Sequence, residues 1–140
     1  MTTSDDKPSR RVVEQRIRNR VIEYLELAAS FEHQLEYQER VPIARVPSEV
    51  INQWEDWAGE DPLEGRDRHS VSAYSPDELA AMRAFHAVWD RAADALQYER
   101  SWDVAFAQTL PEWDDMRRAA AAALEVFAVR GRMPEDHEVA

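Results

Sequence analysis

The chain has 140 residues, 44% apolar and 32% charged, the size and balance of one globular domain able to bury a single core. Its net charge of −11 argues against general attraction to a nucleic-acid backbone or an anionic bilayer and favours a basic protein partner. It contains no cysteine, which excludes disulfides, thiol catalysis and cysteine-ligated metal centres.

Residues 1–9 read as a flexible N-terminus. The opening "MTTSDDKPSRR" has no apolar run behind its charges, so it is no secretory signal. Nothing in the chain approaches the roughly 18 uncharged residues of a transmembrane helix, and a cytoplasmic protein is the expectation. From about Arg10 to Arg40, Val13, Ile17, Val21, Tyr24, Ala28, Phe31 and Leu35 recur at steps of three and four. That spacing predicts one helix over 10–40, about 45 Å long at the usual rise per residue. "VPIARVP" (41–47), with prolines at 42 and 47, reads as an extended connector.

A short helix is predicted over about 48–58. At 100° per residue Val50, Ile51, Trp54, Trp57 and Ala58 share its inward side, and Glu49, Asn52, Glu55 and Asp56 take its back. The two tryptophans are expected to supply core area. The aperiodic stretch 59–74 is long for a connection in a compact domain, which marks it as a candidate contact loop. Ser75, Pro76 and Glu78 then form a strong helix start with a capping box, opening a helix to about Gln97 that carries Leu79, Met82, Phe85, His86, Trp89, Ala93 and Leu96 on one side. A single turn at 102–106, with Ser101 as its cap, is expected to place Trp102 as a plug at one end. "TLPE" (109–112) opens a last helix, about 110–130, that stops at Gly131. Its alanine run 119–123 allows a neighbouring helix to approach closely. Residues 132–140 form an acidic C-terminal tail.

Three long helices and one or two short ones can bury their apolar stripes only against one another. The fold expected is an all-α bundle over residues 10–131, with Trp54, Trp57, Trp89 and Trp113 in or near its core.

Candidate chemistry is sparse. His86 falls on an apolar face, where a hydrogen-bonded core histidine is the ordinary role. His33, His69 and His137 form no ligand spacing with one another. Glu23-x-x-Glu26 and Glu36-x-x-Glu39 resemble the acidic pairs with which all-α nucleotide pyrophosphatases hold magnesium, and Glu112-x-x-Asp115 is a third such pair. Magnesium needs oxygens converging from at least two helices, and the first two pairs lie on one predicted helix. With glycine only at 59, 65 and 131 there is no phosphate-cradling loop, and no nucleophile elbow occurs. The basic cluster "RRVVEQRIRNR" (10–20) lacks the aromatic interleaving of a nucleic-acid site. No cofactor or metal is expected.

The charge order of the first predicted helix is more informative. Arginines crowd its start and glutamates its end, which opposes the helix macrodipole. Acidic groups of the same chain, such as "EDHE" (135–138), are one source of compensation. A second copy laid antiparallel is another, and the roughly ten residues by which this helix would overhang the bundle favour a homodimer with Arg11, Arg18, Glu32 and Glu36 in contact. The function expected is a non-catalytic, acidic protein-interaction module that neutralises a basic partner, in the manner of an immunity protein, antitoxin or nucleic-acid mimic. Its expected contact residues are Glu55, Asp56, Glu60, Asp61, Arg66, Arg68 and His69. The alternatives are a divergent metal-dependent enzyme using the carboxylate pairs and a helical pocket for a small ligand near Trp54, Trp57, Trp89 and His86.

Overall fold

The computed structural model describes residues 7–58, 73–96 and 98–139. Among them are six α-helices and no strand: α1 (Arg10–Ala28), α2 (Phe31–Arg40), α3 (Val46–Ala58), α4 (Pro76–Ala95), α5 (Val104–Ala107) and α6 (Pro111–Ala128), with a 3₁₀ turn at Tyr98–Arg100. The all-α bundle is as the periodicity requires. α4 packs along α6, and α1 lies against both α6 and α3. Ala120 and Ala123 of the alanine run are buried in that packing. The expected contact residues Glu60, Asp61, Arg66, Arg68 and His69 lie outside the described residues, as does most of the stretch 59–74.

The predicted helix 10–40 is two helices. Ser30 has extended backbone angles and caps α2, its hydroxyl accepting from the His33 amide at 3.0 Å. Gln34, fully buried, holds the break. Its side-chain amide nitrogen donates to the carbonyl of Leu27 at 3.2 Å, answering one of the acceptors left open where α1 ends. Its oxygen accepts from the indole of Trp113 at 3.0 Å, which ties α2 to α6. Gln108, at the end of α5, donates to the Phe31 carbonyl at 3.0 Å and secures the same corner. The apolar repeat continues through this break, so periodicity alone reads straight across it.

The split removes the expected overhang, because α1 with 19 residues is within one residue of α4 with 20 and α6 with 18. The predicted stripe is buried at Val21, Tyr24 and Ala28, but the buried face of the first turns of α1 departs from it. Val13 is exposed while Val12, Gln15, Arg18 and Asn19 are buried, so the packed face is largely polar in the first half of the helix.

The aromatic residues fill the centre. Trp54 is fully buried, edge-on to Phe85 with ring centroids 4.7 Å apart and 5.6 Å from Tyr24. Trp89 and Trp113 are buried, and Trp57 is partly buried against the same core. Trp102 does not plug an end. α5 starts at Val104 with Asp103 rather than Ser101 as its cap, and this leaves the Trp102 side chain in solvent.

Replacing Gln34 by leucine removes the acceptor of a buried indole N–H and the donor at the end of α1. A loss of about 2–4 kcal/mol is expected from two stranded buried groups, read as a lower denaturation midpoint at unchanged slope.

Candidate functional site

The core polar groups are satisfied internally. The Trp54 indole N–H donates to Nδ1 of His86 at 3.0 Å, so that nitrogen serves as an acceptor; the ring is hydrogen-bonded as expected but sits partly buried at the edge of the core. Trp89 donates to the carbonyl of Ile51 at 3.0 Å, and the Tyr24 hydroxyl donates to that of Val50 at 2.7 Å. The indole N–H groups of Trp54 and Trp89 and the Tyr24 hydroxyl are thus engaged by the protein itself.

Arg11, Arg16, Arg18 and Arg20 of α1 are likewise engaged. Arg18, expected at a dimer contact, is fully buried instead. Its guanidinium forks onto Glu78 of α4, Nε to Oε1 at 3.1 Å and Nη2 to Oε2 at 2.7 Å, and donates its third arm to the carbonyl of Gly131 at 2.5 Å. Arg130 donates to the same carboxylate from the other side, at 3.1 Å to Oε2 and 2.5 Å to Oε1. Glu78 also accepts the Ser75 amide at 3.1 Å, so the capping-box residue foreseen at the start of α4 doubles as the acid of a buried ionic cluster. Burial pushes the Glu78 pKa upward and is the largest single influence. The hydrogen bonds from Arg18, Arg130 and Ser75 together outweigh it, leaving the pKa below the ordinary carboxylate value. Gly131 follows α6 at φ +72°, a left-handed angle that glycine adopts without strain and that turns the chain back toward α1.

The C-terminal segment after this turn is a strap over α1. Asn19 holds Met133 by both its backbone groups, donating to its carbonyl at 2.8 Å and accepting from its amide at 2.9 Å. Gln15 does the same further along, donating to the carbonyls of Pro134 and His137 and accepting from the Val139 amide at 3.0 Å. Arg20 pairs with Glu135, Arg16 donates to the Glu135 carbonyl at 2.8 Å, and Arg11 to that of Val139 at 3.4 Å. In return Arg132 bridges Glu23 and Glu26, each at 2.9 Å. Compensation for the reversed charge order is therefore found inside the chain, through the acidic tail, and the antiparallel pairing of two long helices has no such helix to pair. The strap was missed in the sequence because Gln15 and Asn19 carry no apolar signal; their spacing of four beside Arg18 was the available clue.

The carboxylate pairs do not form a metal centre. Glu23 and Glu26 face Arg132, while Asp115 of the third pair is bound by Arg118 at 2.6 Å. Glu36 lines a groove of about 350 Å³ with Glu23, Glu26, His33, Tyr37, Arg40 and Gln53, between α1, α2 and α3. Among the described residues no group of three or more His, Asp or Glu side chains is arranged to hold a metal ion. No described helix is long and apolar enough to cross a membrane.

Among the described residues, acid without an ion-pair partner remains on α2 and α3, as it also does at Asp77, Asp90, Asp94 and Glu125 on α4 and α6. Glu32, Glu36, Glu39, Glu55 and Asp56 are exposed, and none has an ion-pair partner among the described residues. In comparisons with known proteins, no family model matches the chain, and no curated protein or solved structure is significantly similar to it.

Glu78→Gln leaves two guanidinium groups around a neutral amide, with Arg18 buried. A loss of about 3–5 kcal/mol is expected at neutral pH. The folded-state pKa of Glu78 is lowered, so its contribution is complete above the unfolded value of about 4.3 and is lost as the pH falls through the folded value. Urea melts of both proteins across the acid range should converge as the pH is lowered.

Proposed function

We propose that the protein is a non-catalytic, acidic interaction module that binds a basic protein through the face formed by α2 and the back of α3. The observation that carries this reading is the partition of charge. At the start of α1, Arg18 and Arg20 pair with Glu78 and Glu135 while Arg11 and Arg16 bond carbonyls of the strap, whereas Glu32, Glu36, Glu39, Glu55 and Asp56 keep free carboxylates in solvent. In a chain with a net charge of −11, these five carboxylates give the face a negative field, with Arg40 in the groove beside Glu36 as the cation among them. Such a field accelerates encounter with a cationic surface and selects against anionic ones, including nucleic acid and acidic lipid.

The groove beside Glu36 gives that face relief. Leu27 and Tyr37 supply apolar wall, and Glu49 of α3 accepts from the Tyr37 hydroxyl at 2.5 Å, fixing the ring. An arginine or lysine stem fits such a slot, its charge reaching Glu36. The chemistry matches a cytoplasmic partner that is basic because it handles nucleic acid, as for an antitoxin, an immunity protein or a nucleic-acid mimic.

Changing all five carboxylates to their amides should leave the helical content intact. Crosslinking mass spectrometry in the native host should place the wild-type partner against α2 and α3, with a lysine- or arginine-rich contact surface. The five-residue variant should associate at least about tenfold more slowly at low salt, with the difference closing as salt screens the field. Equal association of both proteins with the same partner would rule the face out.

A further inference from the structure

We infer that the turn joining α2 to α3, together with Trp102, forms a two-fold interface between copies of this chain. Six large apolar side chains are exposed among the described residues, and four of them, Leu35, Val41, Ile43 and Trp102, belong to this one end of the bundle. Ile43 is 93% exposed and Trp102 is 56% exposed. Between them runs a groove of about 500 Å³, walled by Pro42, Ala44, Val104 and Ala105. Leu35 lies one helical turn before Gln38, which also lines the groove.

These side chains are presented by stiff backbone. The turn closes with the Ala44 amide on the Val41 carbonyl at 2.9 Å, and Pro42 fixes one of its angles. The Gln38 side chain donates to the carbonyl of Ala44 at 2.7 Å and to those of Val41 and Pro42 at 3.3 and 3.4 Å. The Ser48 amide donates to the Ser101 carbonyl at 3.2 Å and draws the Trp102 segment against the start of α3. Trp102 donates its N–H to the Glu99 carbonyl at 3.0 Å, and Asp103 holds Arg100 at 2.8 Å while capping α5. Held this way, Ile43 and Trp102 lose little freedom on being covered, which is the property of interface anchors.

Charge and shape select a second copy as the occupant. The charged residues bordering the patch are Glu39, Arg40, Arg45, Glu99, Arg100 and Asp103, three of each sign. In a chain with a net charge of −11 this end is locally neutral, so it neither attracts a basic protein nor repels its own copy. Arg45 has no ionic partner among the described residues, and the exposed Glu39 or Glu99 of a facing copy would answer it. The patch also carries its own complement, a projecting Ile43 beside the groove that would receive one. Under a two-fold axis each isoleucine enters the groove of the other chain next to its Trp102, the self-matching contact that such symmetry requires. Four large side chains suit the core of an interface at the small end of the specific range, about 1,200 Å² in total, so a weak, concentration-dependent dimer is expected. This inference does not rest on the acidic face, with which the patch shares only Glu39 at its border.

The test is the mass of the full chain by sedimentation or light scattering, from low micromolar to near-millimolar concentration, at salt high enough to screen the net charge. The wild type should pass from one chain mass to two, and acrylamide quenching of the exposed indole should fall over the same range. Ile43→Asp and Trp102→Ala, both at solvent-exposed positions, should each weaken the dimer by roughly tenfold or more. Amide substitutions at Glu32, Glu55 and Asp56 should leave it unchanged, which separates this interface from the partner-binding face. A single-chain mass at every concentration, or a dimer indifferent to both Ile43→Asp and Trp102→Ala, overturns the inference.

Discussion

A buried arginine needs a carboxylate that is buried with it, and that requirement organises this bundle. Arg18 is turned into the packing between α1, α4 and α6, where its charge is tolerable only because Glu78 meets it with both oxygens and Gly131 with a carbonyl. Glu78 can take that position because Ser75 and Pro76 start α4 there, and Arg130 arrives at the end of α6 to share the acid. The same contact brings residue 131 to α1, where a left-handed glycine redirects the chain into the strap. Three helix positions and the course of the C-terminal segment thus hang on one ionic cluster.

The strap then determines what the surface offers. Glu135 and the carbonyls around it occupy Arg16 and Arg20, while Arg132 occupies Glu23 and Glu26. Charges near the strap are spent within the molecule, and exposed pairs of this kind add little to stability. Their larger consequence is geographic. The carboxylates of α2 and of the back of α3 stay unanswered, and the end of the bundle carrying Ile43 and Trp102 is apolar and balanced in charge. The two surfaces have different chemistry, one long-ranged and sensitive to salt, the other short-ranged and dependent on fit.

The opening of α2 shows how a short polar signal overrides a long apolar one. Ala28, Phe31 and Leu35 continue the repeat of α1, yet Ser30 and Gln34 supply the cap and the buried amide that end one helix and begin another. A serine inside an apolar pattern is ambiguous by itself, because it tolerates a helix interior as well as a cap. The break beside it is held through Gln34 and Phe31 by Trp113 and Gln108, which come from more than seventy residues away.

The all-α class, the start of α4 at Ser75, the burial of Trp54, Trp89 and Trp113 and the acidic balance follow from the sequence alone. They depend on helical periodicity, local capping chemistry and composition, which are properties of neighbouring residues or of the chain as a whole. The break after Ala28, the burial of Arg18, the seat of the strap on Gln15 and Asn19 and the exposure of Trp102 were decided by the tertiary structure. Each depends on which distant group satisfies a hydrogen bond or a charge. A polar residue takes whichever environment supplies its partner, and only the folded chain says where that partner is.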